Sequence, residues 1–308
     1  MTADMLPRGR TLALACFIAV LVGCGGTGPR SILDASLADL VPNDAIRLVD
    51  LRVDRLKTSP VYDRFKPLLE QQSLEGLAKE TGFDPRKDLD EVLLVSDGKG
   101  MFGLARGRFD RASIEKRLAE SGAKRADVGS VVAFALGQRL VALPAATVIA
   151  GGDDAIVRAA LDRAAKKQPF PAHLAKLMNP VPAGAHAWAV SYGALEVPGD
   201  AGGPAANVAK ILGSVDTGTL WADLSRGVRL GAVGTASDEA GAKKLHGAMR
   251  GIVGLGRLSI PDGKEDLKKV FDAVDIRQES KQVRLSADVP LEAVNEIADM
   301  LAKFGRGN

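Results

Sequence analysis

Cysteine is almost missing from this chain. There are two among 308 residues, Cys16 and Cys24, and none follows. Whatever folds beyond position 24 has no disulfide, no thiolate metal site and no cysteine nucleophile. Aromatic residues make up only 4%, so the core must rest mainly on Ala, Val, Leu and Ile. The three histidines, His173, His186 and His246, have no second histidine or carboxylate at the spacing of a helical ligand pair, and no metal or other cofactor is expected. Neither sign of charge forms a block: 41 basic side chains are interspersed with 38 acidic ones. That excludes the concentrated basic face of a nucleic-acid binder. The Lys-Lys pairs at 166–167, 243–244 and 268–269 read as solvated helix faces. No apolar run reaches the roughly 20 residues a spanning helix needs.

What is present begins with an address. Arg8 and Arg10 precede an uncharged run from Thr11 to Gly23, which has the basic, apolar, small order of a secretory signal. The run ends Leu21-Val22-Gly23-Cys24, which resembles the lipobox of bacterial lipoproteins. The resemblance implies cleavage between Gly23 and Cys24 and a lipid on the Cys24 thiol, making the membrane a partner through that lipid. Two or more acyl chains anchor stably, each buried methylene contributing about 0.8 kcal/mol. Gly25, where enteric lipoproteins carry aspartate for inner-membrane retention, favours the outer membrane, facing the periplasm. Residues 1–23 are thus read as signal and 24–40 as a tether with a short helix.

The remainder alternates strand and helix patterns. Residues 45–52 read as a strand. Ser59-Pro60 starts a helix that Pro67 should kink. A second helical stretch carries Leu74 and Leu77. Two strands flank a turn near Gly98, Asp110 caps a helix, and two strands follow near 128–136 and 138–150. Asp153 or Asp154 caps the next helix. A similar order then returns, with strand 185–192, a helix near 205–213, a hairpin, a helix capped by Asp238, an extra helical segment at KEDLKKVFDAV, another strand pair and a closing helix. Shifting by 128 positions matches Gly103 with Gly231, Asp110 with Asp238, Ala112 with Ala240 and Lys116 with Lys244. The expected fold is α+β: two similar β-α-β-β-α-β-β-α repeats, at 41–168 and 169–308, in largely antiparallel sheet with helices packed on one face. The segments SPVYDRFKPLL, TGFDPRKDLDEVLL and GLARGRFDRASIE also resemble a family of bacterial envelope proteins. The resemblance spans roughly residues 40 to 160 and implies no catalytic residues.

Three motifs suggest chemistry and fail on context. GKGMFG (98–103) fits a dinucleotide fingerprint but precedes a strand pattern where a helix is required. GDAGGP (199–204) resembles the nucleophile segment of serine proteases with Ala201 at the nucleophile position. GGDDA (151–155) resembles part of a cyclase signature but runs into helical spacing. The most distinctive candidate site is aromatic. Under strand alternation His186, Trp188, Val190 and Tyr192 share a face, and Trp221 lies on a neighbouring strand. These rings read first as core and second as the lining of a ligand site. The functional expectation is a lipid-anchored, non-catalytic binding or structural module of the envelope, with another envelope protein as partner. A periplasmic carrier of a small apolar or lipid ligand comes second and an enzyme third. A carrier needs an enclosed apolar cavity, an interaction module an exposed apolar patch.

Overall fold

The computed structural model describes residues 32–69, 84–193, 213, 215–258, 260, 263 and 265–296. Gly23, Cys24, the helical stretch at Leu74 and Leu77, GDAGGP and all but the last residue of the helix expected near 205–213 lie outside them. In chain order the elements are α1 (Ala35–Ala38), β1 (Arg47–Leu51), α2 (Val53–Leu56), α3 (Pro60–Leu69), α4 (Pro85–Asp88), β2 (Leu89–Ser96), β3 (Met101–Gly107), α5 (Arg111–Glu120), β4 (Lys124–Arg125), β5 (Val132–Leu136), β6 (Arg139–Ala145), β7 (Val148–Asp153), α6 (Asp154–Ala165), α7 (Ala172–Met178), β8 (Ala187–Tyr192), β9 (Thr217–Asp223), β10 (Gly227–Thr235), α8 (Glu239–Leu258), α9 (Glu265–Asp272), β11 (Asp275–Glu279) and β12 (Gln282–Pro290).

All twelve strands join one sheet in the order β11-β12-β10-β9-β8-β1-β2-β3-β7-β6-β5-β4, and every neighbouring pair is antiparallel. The class is α+β with a large antiparallel sheet. The first strand, β1, lies at the centre, between β2 and β8. Outward from that seam each side runs through a three-strand meander, then the last strand of its half, then that strand's hairpin partner. The main core also crosses residue 168, gathering Leu37, Leu48, Leu93, Phe102 and Ile156 with Leu174, Trp188 and Val190.

Local chemistry explains most of the elements. The Asp110 carboxylate accepts the Ser113 N–H at 3.2 Å and starts α5. Ser59 Oγ accepts the Tyr62 N–H at 3.1 Å at the head of α3, which continues through Pro67 to Leu69. Asp97 accepts N–H groups from Lys99 and Gly100, and Gly98 takes φ +87°, so GKGMFG is the turn of the β2–β3 hairpin. Asp153 stands at the cap position of α6, but its carboxylate instead accepts the Met101 N–H at 3.0 Å.

Two expectations need correction. The single strand expected at 138–150 is two strands, β6 and β7, turning at Ala146 and Thr147; with the short β4, four strands follow α5 instead of two. A long run of small and β-branched residues conceals that turn, because Ala-Ala-Thr carries no Gly or Asn signal. Nor do the helices keep to one face. Leu48, Leu93, Leu104 and Trp188 share the first face with the residues packing against α1, α6 and α7. Leu245 of α8 instead reaches Gly234, whose register partner is Val283. Following register from Val49 through Ala189, Leu220 and Ala232 to Leu285 places this packing on the opposite, second face. The cause is side-chain pattern: in β12, Val283, Leu285, Ala287 and Val289 fall on that face, and α8, α9 and α3 gather over them.

Candidate functional site

The seam at β1 carries a concentration of charge that alternation alone positions. Leu48, Asp50 and Arg52 fall on the first face, and the ends of β2 and β3 bring Glu91 and Arg106 beside them. Glu91 is fully buried. Its Oε1 accepts the Asp34 N–H at 3.3 Å, and its Oε2 accepts Arg106 Nε–H at 3.1 Å, with Arg52 Nε 3.6 Å away. Arg106 also donates to Asp90 at 3.2 Å and lies 3.5 Å from Asp34 and 3.7 Å from Asp54. Arg52 donates to Asp54 at 3.1 Å. Burial alone would raise the carboxyls of Asp34 and Asp54. Hydrogen bonds from Ser36 in one case and from Arg52 and the Arg55 N–H in the other, together with the charges of Arg52 and Arg106, outweigh it, so both titrate below the usual range.

Asp50 is the exception. It is 1% exposed, between Leu93 on β2 and Trp188 on β8. Neither of its oxygens, nor the Trp188 indole N–H, makes a hydrogen bond of ordinary geometry among the described residues, although the Glu91 carboxyl and the Trp188 indole N–H both lie near enough to act on the acid. Burial, then the neighbouring Glu91 charge, push its carboxyl up to about 8 despite Arg52. The sequence reading missed this group. The signal was an acid at an inward position of an apolar strand, Leu48-Val49-Asp50-Leu51.

The aromatic residues expected to form a site lie along a stripe rather than around one space. Trp188 is 2% exposed and directly opposite Trp221. Gly231 faces Trp221 in turn, and a Cβ there would lie 2.3 Å from the indole, so the absent side chain makes room for the ring. The Arg229 guanidinium sits 5.8 Å from the Trp221 ring centre. Tyr192, at the far end of β8, is 52% exposed and meets His173 edge-on at 5.4 Å. His186 precedes β8 and is buried. Its Nδ1 accepts the Leu224 N–H at 3.1 Å, which places the ring proton on Nε2. Burial lowers its pKa against the pull of Asp223, 3.5 Å away. Asp223 is itself held by Ser225 N–H and by Arg229 at 2.7 Å. With Nδ1 engaged and Asp223 paired elsewhere, this is a structural pin across the β9–β10 turn rather than a proton-transfer dyad. A cleft of about 100 Å³ beside it is lined by Asp223, Ser225, Arg226, Gly227, Arg229 and Asp288, a polar space and not an apolar one.

The second face of the central strands is different. The row Gly103–Leu94–Val49–Ala189–Leu220 and the row Ala105–Val92–Leu51–Ala187–Ala222 contain no polar side chain. Val49, Leu51, Leu94 and Leu220 are 47, 37, 40 and 53% exposed. Among the described residues nothing covers the first face at the other end of the sheet either, but there β11 and β12 present Asp275, Arg277, Arg284, Ser286 and Asp288.

No protein-family model matches the chain, and no curated protein matches it. Solved structures of TP0453 are similar in chain path. Crystal form I aligns with a TM-score of 0.46 and 11% identity over 87% of this chain and 96% of that one. Crystal form III aligns at 0.48 and 9% over 85% and 97%. Likeness at this level decides neither relationship nor role.

Proposed function

We propose that this chain is a lipid-anchored protein of the bacterial envelope whose folded part is a non-catalytic interaction module, docking another envelope protein on the bare apolar face of its central strands. The observation that carries the reading is the contrast within one sheet. Where the described residues leave the first face uncovered, the strands carry charge and hydroxyl groups; where they leave the second face uncovered, it carries Val49, Leu51, Leu94 and Leu220, bounded at one edge by the polar row Ser96–Arg47–Ser191. An open apolar patch suits a protein partner, whereas a carrier would enclose such residues. The engagement of His186, Asp223 and Glu91 by structural partners adds weight against catalysis. The anchor rests on Leu21-Val22-Gly23-Cys24, whose lipidation would hold the module near the outer membrane.

Site-specific photocrosslinking in cells tests the docking. A crosslinker at Leu220 should give one discrete protein adduct, lost when Leu94→Asp is added, while a crosslinker at exposed Lys116 on α5 should not give it. If Leu220 yields no adduct, or yields the same products as Lys116, the docking face is wrong. Stoichiometric uptake of an apolar dye blocked by Leu220→Trp would promote the carrier.

A further inference from the structure

We infer that Asp50 is a proton latch on the seam between the two halves of the sheet: protonated it packs as a neutral acid and holds β1 against β8, and ionised it opens that ladder. The geometry has three parts. First, β1 alone joins the halves within the sheet, through the register Arg47↔Ser191 to Leu51↔Ala187. One further bond extends the ladder at each end, Arg52 N–H to His186 O at 2.8 Å and Tyr192 N–H to Ile46 O at 2.7 Å. Second, Asp50 occupies the covered face of that ladder, opposite Trp188, with neither oxygen in ordinary hydrogen-bond geometry with a described residue and the Glu91 carboxyl close enough to favour its protonated form. Third, the charges around it are mainly engaged elsewhere. Just past β1, Arg52 donates to Asp54 of α2 and lies 3.6 Å from Glu91, so its pull on Asp50 is shared. On β2, Glu91 is held by Arg106 of β3, which also serves Asp90. Ahead of α1, Asp34 lies against that same arginine. At the opposite end of β1, His173 of α7 is occupied by Ala45 O.

Loss of the Asp50 proton to solvent therefore leaves a carboxylate beside a second carboxylate, and the one cation acting on it, Arg52, is already shared with Asp54 and Glu91. Two acids in one buried site do not both ionise without cost. Breaking the β1–β8 ladder admits water to the group and relieves that cost.

Linkage makes this quantitative. Between the ordinary aspartate value of 3.8 and the folded value of about 8, the closed seam holds one proton more than the open one. Opening then becomes tenfold easier per pH unit, equivalent to 1.36 kcal/mol. Amide hydrogen exchange reads this directly, because base catalysis adds its own tenfold per unit. Amides at residues 48–51 and 187–190 should exchange about a hundredfold faster per pH unit from 5.5 to 7.5, and about tenfold per unit above 8.5. In Asp50→Asn the slope should be tenfold throughout. In a Trp221→Phe background Trp188 is the sole tryptophan, and its fluorescence should titrate with a midpoint above 7 that Asp50→Asn abolishes. A tenfold slope in the unmodified protein overturns the latch. So does a Trp188 midpoint that survives Asp50→Asn, which would belong to His173 or His186. Should the asparagine variant fold poorly, Asp50→Leu, which removes the buried polar group at this position, must give the same flat profile.

Discussion

Trp188→Ala should destabilise the protein substantially, and the structure sets the size. The ring is 2% exposed in the main core, flanked across the strands by Asp50 and Trp221. Truncating a buried tryptophan to alanine costs about 3–5 kcal/mol. Here one contribution runs the other way: the indole N–H has no acceptor in ordinary hydrogen-bond geometry among the described residues, and removing a buried unsatisfied donor recovers about 1–3 kcal/mol. The net expectation is a loss centred on about 2 kcal/mol, which in a chain of this size lowers the melting midpoint by roughly 4–8 °C. Trp188→Phe separates the two effects. It keeps most of the ring volume and deletes the orphan donor, so its midpoint should lie within about 3 °C of the parent protein. Thermal melts followed by far-ultraviolet circular dichroism at pH 7 measure both. An alanine variant unchanged within about 1 °C, or a phenylalanine variant falling as far as alanine, would refute the packing argument.

Gly231→Ala places a methyl group where the Trp221 indole lies and should cost about 1–3 kcal/mol by overpacking. Adding Trp221→Leu should restore most of that loss in a double-mutant cycle, and additive losses would contradict the steric assignment. Cys24→Ala in the full precursor should abolish labelled-palmitate incorporation and membrane fractionation, and labelling equal to the unmodified chain would end the anchor proposal.

Much of the fold was legible because the elements advertise themselves. Asp110 begins α5, the Asp97–Gly100 turn makes a hairpin, and β12 alternates polar and apolar residues over its whole length. What stayed hidden involves relations between elements. The change of helical cover from one face to the other follows from register across five strands, which no single window contains. A further internal likeness escaped the 128-residue shift. Ala35-x-Leu37-Ala38-x-Leu40-Val41 and Ala172-x-Leu174-Ala175-x-Leu177-Met178 both form the short helix ahead of the first strand of a half. Their spacing is 137, so one fixed offset cannot align them together with the hairpins. The charge cluster was obscured because its members come from α1, α2, β1, β2 and β3, and each residue alone looks like ordinary surface charge.

The bare apolar face was readable in principle. The run Val92-Leu93-Leu94-Val95 in β2 has no polar residue on either side of the strand, and such a run requires cover on both faces. The fold supplies it on one: Leu93 and Val95 are buried beneath the first-face helices, while Leu94 stays 40% exposed. Isolated exposed apolar side chains need no explanation, because much of any protein surface is apolar. Continuity is what distinguishes this case. Leu94, Val49 and Leu220 are joined through Ala189 by direct register across four adjacent strands. At about 4.8 Å per strand those four span roughly 14 Å, and the flanking small residues Gly103, Ala105, Ala187 and Ala222 keep the surface low enough for a partner to lie flat against it. The strands of β11 and β12 rule out a general shortage of polar residues as the cause, since their uncovered face carries Arg277, Arg284 and Asp288. That contrast, polar side chains over one exposed face and two apolar rows on the other, is what the proposed docking requires.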